Sequence, residues 1–301
     1  MTHVATLIST EAQRAVTPDA VAAVRAALAG AAPGEPVVLD PEVAVDLPLA
    51  PAPEADPRAL AEAARAALAD RPVDVVVQPL AHRRKRLFLA DMDSTMIGQE
   101  CIDELAAEVG LKDRIAAITE RAMRGEIAFE PALRERVGLL AGLDAAVIDR
   151  LIAERITLTP GGRTLVMTMR AAGAYTALVS GGFTVFTGPV AAMIGFDENR
   201  ANILLAEGGR LLGRVEEPIL GADAKLATLR ELAAARAIPP AETLAVGDGA
   251  NDLPMLEAAG LGVAYRAKPK VAARAAARIE HADLTALLYL QGYRREDFAG
   301  P

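Results

Sequence analysis

The sequence has no tryptophan, one cysteine and three histidines among its 301 residues. Each shortage removes a class of function. Aromatic residues make up 3% of the chain, too few for a base-stacking surface, and the net charge of −8 repels a phosphate backbone, so no nucleic-acid partner is expected. The lone Cys101 can form no internal disulfide, and His3, His82 and His281 are scattered, so any metal would be held by oxygen. No apolar run reaches the roughly 18 residues of a membrane span. The opening MTHVATLIST has no basic segment leading into an apolar one. The chain therefore reads as soluble and cytoplasmic, with no membrane partner.

What is present is enough apolar sequence, 52%, for more than one core. Residues 1–80 read as strand (Val4–Ser9), helix (Asp19–Leu28), two short strands within PVVLDPEVAVDLPL, helix (Pro57–Ala69) and strand (Val73–Leu80). This β-α-β-β-α-β order is the split, ferredoxin-like α+β pattern. The basic cluster HRRKR (82–86) reads as a solvated lead-in to a strand at 87–91 rather than a nucleic-acid patch, given the acidic chain. Residues 98–158 form a helical insert, with Ile102, Leu105, Ala106 and Val109 at helical spacing. Helix (Gly162–Ala172), strand (Tyr175–Ser180), a hairpin over ANILLAEGGRLLGRV, helix (Asp223–Ala235) and strand (Thr243–Gly247) follow. Strands separated by helices predict a Rossmann-like α/β body over 81–301, with a parallel sheet whose reactive groups gather at the carboxyl ends of its strands.

Three strand ends share one feature. LFLADMDST, YTALVSGGF and TLAVGDGANDLPM each stop an apolar run at small polar or acidic residues. Side by side they would gather Asp91, Asp93, Asp248 and Asp252 with Asn251, Ser180 and two glycine amides. Crowded carboxylates repel, and a hard divalent cation such as Mg²⁺ is the natural partner of such oxygens. SGG offers a hydroxyl and open backbone N–H groups to phosphate, and Lys225 supplies a fixed positive charge. Alone, DxD is a common acidic loop, SGG a turn and Lys225 a solvated helix lysine. Their ordered recurrence at strand ends points to phosphoryl transfer.

DMDST, SGG, Lys225 and GDGANDLPM resemble the four ordered motifs of the haloacid dehalogenase-like (HAD-like) phosphotransferase superfamily. The strings DMDSTMIGQECIDELA, TERAMRGEIAFEPALRERVGLL and GDGANDLPMLEAAGLGVAYRAKPKV are similar, more narrowly, to its phosphoserine phosphatase family, over about 87–285. The resemblance implies Mg²⁺-dependent hydrolysis of O-phospho-L-serine through an aspartyl-phosphate, the last step of serine biosynthesis. It makes Asp91 the nucleophile and Asp93 the acid and base. Asp91, Asp248 and the main-chain carbonyl of Asp93 become metal ligands, supported by Asp252, while Ser180, Gly181, Lys225 and Asn251 hold the phosphate. Within the helical cap, Glu100 matches the family's ammonium contact and Arg136 its carboxylate contact, with Met123 and Phe129 shielding the site. Residues 1–80 resemble ACT-like modules in pattern only, which leaves a regulatory site and a homodimerising or structural role both open. Two further readings stand beside this one: phosphoryl transfer or hydrolysis involving another small ester, and a non-catalytic amino-acid sensor.

Overall fold

The computed structural model describes residues 1–123 and 126–300. The N-terminal module runs β1 (His3–Ile8), α1 (Pro18–Ala27), β2 (Val37–Asp40), β3 (Ala44–Leu49), α2 (Pro57–Leu68) and β4 (Asp74–Pro79). Both helices begin where the sequence says they should. Thr17 and Asp56 accept backbone N–H bonds as N-caps, each followed by a proline whose missing N–H costs nothing at the first helical position. The sheet is antiparallel in the order β2-β3-β1-β4, the arrangement a split β-α-β-β-α-β chain produces.

Alternation along these strands separates two faces. Ala5, Leu7, Val45, Leu47, Leu49, Val75 and Val77 pack beneath α1 and α2 in the module's own core. The opposite face carries Thr6, Ile8, Ala44, Asp46, Asp74, Val76 and Gln78, all buried, and its apolar members join the core of the body.

The body begins with β5 (Leu87–Ala90), then the cap helices α3 (Cys101–Glu108), α4 (Lys112–Met123), α5 (Phe129–Gly138) and α6 (Ala146–Glu154). It continues through α7 (Gly162–Ala171), β6 (Tyr175–Phe183), α8 (Thr184–Ile194), β7 (Glu198–Asn202) and the hairpin β8 (Leu204–Glu207) with β9 (Arg210–Val215). The remainder is α9 (Ala222–Ala235), β10 (Thr243–Gly247), α10 (Leu253–Ala258), β11 (Leu261–Tyr265), α11 (Pro269–Ala272), β12 (Ala277–Ile279) and α12 (Ala286–Leu290). Six strands pair in parallel in the order β12-β11-β10-β5-β6-β7. The chain moves outward from β5 through β6 to β7, then returns to place β10 on the other side of β5. That reversal opens a crevice at the carboxyl ends of β5 and β10, where open α/β sheets bind ligands. Among the described residues, no helix is long and apolar enough to cross a membrane.

Two expectations are corrected. The basic cluster is solvated only in part: His82, Arg84 and Arg86 are exposed, but Arg83 forms a fork on the buried Asp46 carboxylate, at 2.6 and 2.7 Å, and bonds the carbonyls of Tyr289 and Leu290. Lys85 is also buried, donating to the Ala241 carbonyl at 2.7 Å. The second concerns SGG, expected at the end of a strand that stops at Ser180. It lies inside β6, whose pairing with β7 is irregular between Val179 and Phe183.

Arg83 thus joins module to body together with Gln78, whose amide donates to Leu290 O, and Tyr289, whose hydroxyl donates to Asp40. Replacing Arg83 by methionine should cost about 3–5 kcal/mol, because it strands a buried carboxylate. Adding Asp46→Leu should recover most of that loss. Urea denaturation of the single and double variants checks this, and additive losses would contradict it.

Candidate active site

β5 delivers Asp91 to the rim. Its N–H continues the ladder to Val246 O at 3.0 Å, so the residue is fixed by the sheet before its side chain does anything. The chain then leaves the strand in a tight coil over Met92–Met96, with Ser94 at φ 54. Asp91 Oδ1 takes the Met92 N–H at 2.8 Å and lies 2.6 Å from Lys225 Nζ. The same ammonium donates to Asp252 Oδ1 at 2.7 Å, while Asp252 Oδ2 accepts the Gly249 N–H. Lys225 and Asp252 are both fully buried. Gly247 has no room for a side chain, because the Asp252 carboxylate fills that space.

Asp248 completes the cluster. One oxygen each from Asp91, Asp248 and Asp252 lies within 4.8 Å of the others. Three carboxylates face one ammonium, and the electrostatics show the imbalance. Burial and the neighbouring Asp252 push Asp91 well above the usual carboxylate range, and the same two causes push Asp248 to about 6. Burial pulls Lys225 down, but Asp252 and Asp91 outweigh it and keep it charged. The donor set is all oxygen and carries surplus negative charge, which fits a hard divalent cation.

Asp93 is held differently. Its Oδ1 accepts the N–H of Cys101, the first residue of α3, where a helix leaves donors free. Burial and the nearby Glu100 raise its pKa to about 7. Nothing in the sequence signalled Cys101 as its partner; a carboxylate eight residues before a helix start is only a weak hint. Glu100 accepts a hydrogen bond from Ser94 Oγ at 2.7 Å. Ser180 is buried, with its Oγ accepting the Gly182 N–H at 2.8 Å. Asn251 is half-buried in the short turn before α10, its Oδ1 occupying the space beside Gly249.

The cap closes over this rim. Phe129 begins α5 and lies against two backbone positions of the body. A Cβ on Gly181 or on Gly221 would come within 3.3 Å of its ring. Arg136, in the last turn of α5, bonds Ala132 O and Thr119 Oγ1, both at 3.3 Å, and makes no ion pair among the described residues. It is close enough to Asp103, Glu100 and Asp93 to feel their charge. The Met123 side chain lies outside the described residues. Asn202, Gly221 and Thr119 were not singled out in the sequence, and no local motif marks them.

A family model for haloacid dehalogenase-like hydrolases matches residues 88–257, more than half of the chain. The chain belongs to that family. Within it, a phosphoserine phosphatase of Streptomyces coelicolor is 46% identical over 81% of this chain and 59% of its own. Thus the chain spans less than two thirds of that relative's length. A HAD family hydrolase crystal structure from Salmonella enterica serovar Typhi superimposes with TM-score 0.84 at 32% identity, covering 96% of this chain and 97% of its own. A phospho-aspartyl intermediate analogue of phosphoserine phosphatase matches with TM-score 0.64 at 39% identity, covering 68% and 98%.

Lys225→Met should destabilise the metal-free protein by about 3–5 kcal/mol, because two buried carboxylates lose their shared cation. Added Mg²⁺ should then stabilise the variant more than the parent, by binding only the folded state. Urea midpoints in EDTA and in Mg²⁺ test this. No Mg²⁺ effect on either protein would remove the cation site.

Proposed function

We propose that this chain hydrolyses O-phospho-L-serine to L-serine and phosphate with Mg²⁺, as the last step of serine biosynthesis. The observation that carries the substrate assignment is an acid and a guanidinium, Glu100 and Arg136, placed around the Asp91–Asp93 rim, the guanidinium making no ion pair among the described residues. Phosphoserine carries an ammonium and a carboxylate besides its phosphate. Glu100 suits the first, and Arg136 can take two oxygens of the second. The phosphoserine phosphatases it resembles support the same substrate.

The hydrogen bonds apportion the chemistry. Asp91 Oδ1 is occupied by Lys225 and the Met92 N–H. Oδ2 is left to attack phosphorus. As the Oδ2–P bond forms, the bond from phosphorus to the serine oxygen breaks, and that oxygen takes the proton held by Asp93. Water then enters in place of serine. Asp93, now a carboxylate, removes a proton from it; the water oxygen bonds to phosphorus and Asp91 is released as a carboxylate. Ser180, Gly181, Lys225 and Asn251 hold the phosphate oxygens. Mg²⁺, held by Asp91, Asp248 and the Asp93 carbonyl with Asp252 in support, would supply positive charge against the phosphate and the crowded carboxylates. Phe129 excludes water from the closed site.

The N-terminal module is read here as ACT-like, on its strand order and its two helices on one face. Its β2 is an outer strand with Val37 and Val38 exposed, although Arg294 reaches the Val38 carbonyl at 3.4 Å, and homodimerisation through this module is part of the proposal, alongside a regulatory role. A cytoplasmic setting goes with the biosynthetic assignment.

Phosphate release should be strong with L-phosphoserine and Mg²⁺, weak with sugar phosphates, nucleotides and phosphothreonine, and absent once EDTA removes the metal. Asp91→Asn should abolish turnover. Arg136→Ala should cost about 1.5–3 kcal/mol, seen as roughly a 10- to 100-fold rise in KM. A preference for another ester would discard the roles of Glu100 and Arg136 while keeping Asp91 chemistry.

A further inference from the structure

One buried side chain touches both halves of this site without facing its centre. Asn202, the last residue of β7, is 3% exposed. Its Nδ2 donates to Gly181 O at 2.9 Å and to Leu220 O at 3.1 Å, and its Oδ1 accepts the Leu220 N–H at 2.7 Å.

On the first side, the Gly181 carbonyl shares a planar peptide with the Gly182 N–H, which donates to Ser180 Oγ. Holding the oxygen of that plane holds its N–H as well. Ser180 Oγ, having accepted this N–H, keeps its own O–H for an outside acceptor. On the second side, both backbone polar groups of Leu220 are fixed by one amide. The next residue is Gly221, which lies against the Phe129 ring. Glu217, in the same loop, pairs with Arg134 of α5 at 2.8 Å. Residues 217–221 therefore form one seat of the cap, beside the β8–β9 hairpin, whose Leu211 and Gly209 carbonyls accept the N–H groups of Gly142 and Ala145.

We propose that Asn202 is a positioning residue that holds the Ser180–Gly182 segment and the cap seat at 217–221 in one frame. The phosphate end and the leaving-group end of the substrate are then aligned together, by a residue that touches neither. This rests on the phosphate role given to Ser180 and the covering role given to Phe129 above.

The test compares the full-length parent with N202D and G221A, using L-phosphoserine as substrate and inorganic phosphate as a competing probe. N202D keeps the shape and the acceptor for Leu220 N–H but has no donor for the two carbonyls. It should lower kcat roughly 10- to 100-fold, the scale of a small misplacement of reacting groups, and weaken inhibition by phosphate. G221A crowds only Phe129. It should raise KM for phosphoserine and leave phosphate inhibition as in the parent.

An N202D enzyme with parental kcat and phosphate inhibition overturns the proposal. So does one whose kcat falls only in step with its folded fraction, with KM and phosphate inhibition unchanged. If N202D does not fold, hydrogen exchange in the parent decides. Inorganic phosphate should slow exchange at Leu220 and Gly221 together with Gly182, and slowing confined to residues 180–183 overturns the inference. A parent that releases phosphate from another ester but not from phosphoserine places the fault in the substrate assignment, and the same comparison then uses that ester.

Discussion

The rim depends on one arrangement of charge: Lys225, fully buried, bridging Asp91 and Asp252 at 2.6 and 2.7 Å. A buried ammonium is costly unless paired, and two buried carboxylates are costly unless neutralised, so each group makes the other tolerable. The two acids are not equivalent. Asp252 is tied at both oxygens, by Lys225 and by the Gly249 N–H. It acts as the anchor that holds the lysine. Asp91 is tied at one oxygen only among the described residues. With Asp248 added, negative charge still exceeds positive, which keeps the site receptive to a cation.

The parts of this site legible in the sequence are those in which local order and strand geometry coincide. Asp91 and Asp248 follow the ends of adjacent parallel strands, paired in register with Ala90 opposite Val246. An apolar run that stops at an acid was therefore enough to place both. The module's topology was legible for the same reason, because period-two alternation and two Pro-started helices are written in contiguous residues. Arg83 was not. Its partners, Asp46 and the carbonyls of Tyr289 and Leu290, lie 37, 206 and 207 residues away, so a basic cluster read locally looks solvated. Asn202 was hidden in the same way, its three hydrogen bonds reaching residues 18 and 21 positions distant.

The cap shows how backbone bareness permits close packing. Gly181 and Gly221 sit on different segments of the body, yet both lie within van der Waals reach of the same Phe129 ring. A side chain at either would press on the ring or displace it. The absence of Cβ atoms there lets an aromatic residue lie directly against the backbone next to Ser180. The arginine expected to read the substrate sits on the same helix, so the position of Phe129 also fixes how far Arg136 reaches. Phe129 and Arg136 thus share one helix, whose flank is held to the body by the pairing of Arg134 with Glu217.

The module is attached by polar groups rather than by an apolar face alone. Asp74, at the start of β4, accepts N–H bonds from Glu280, His281 and Ala282, immediately after β12. β12 is the outer strand of the body's sheet. An outer strand with unpaired backbone groups invites association with other chains. Asp74 grips the turn that leaves it, and Arg83 grips the end of α12 just beyond. A greasy contact would tolerate sliding, whereas a carboxylate matched to successive N–H groups accepts one register. The module therefore fixes the edge of the sheet whose centre carries Asp91, whatever else it binds.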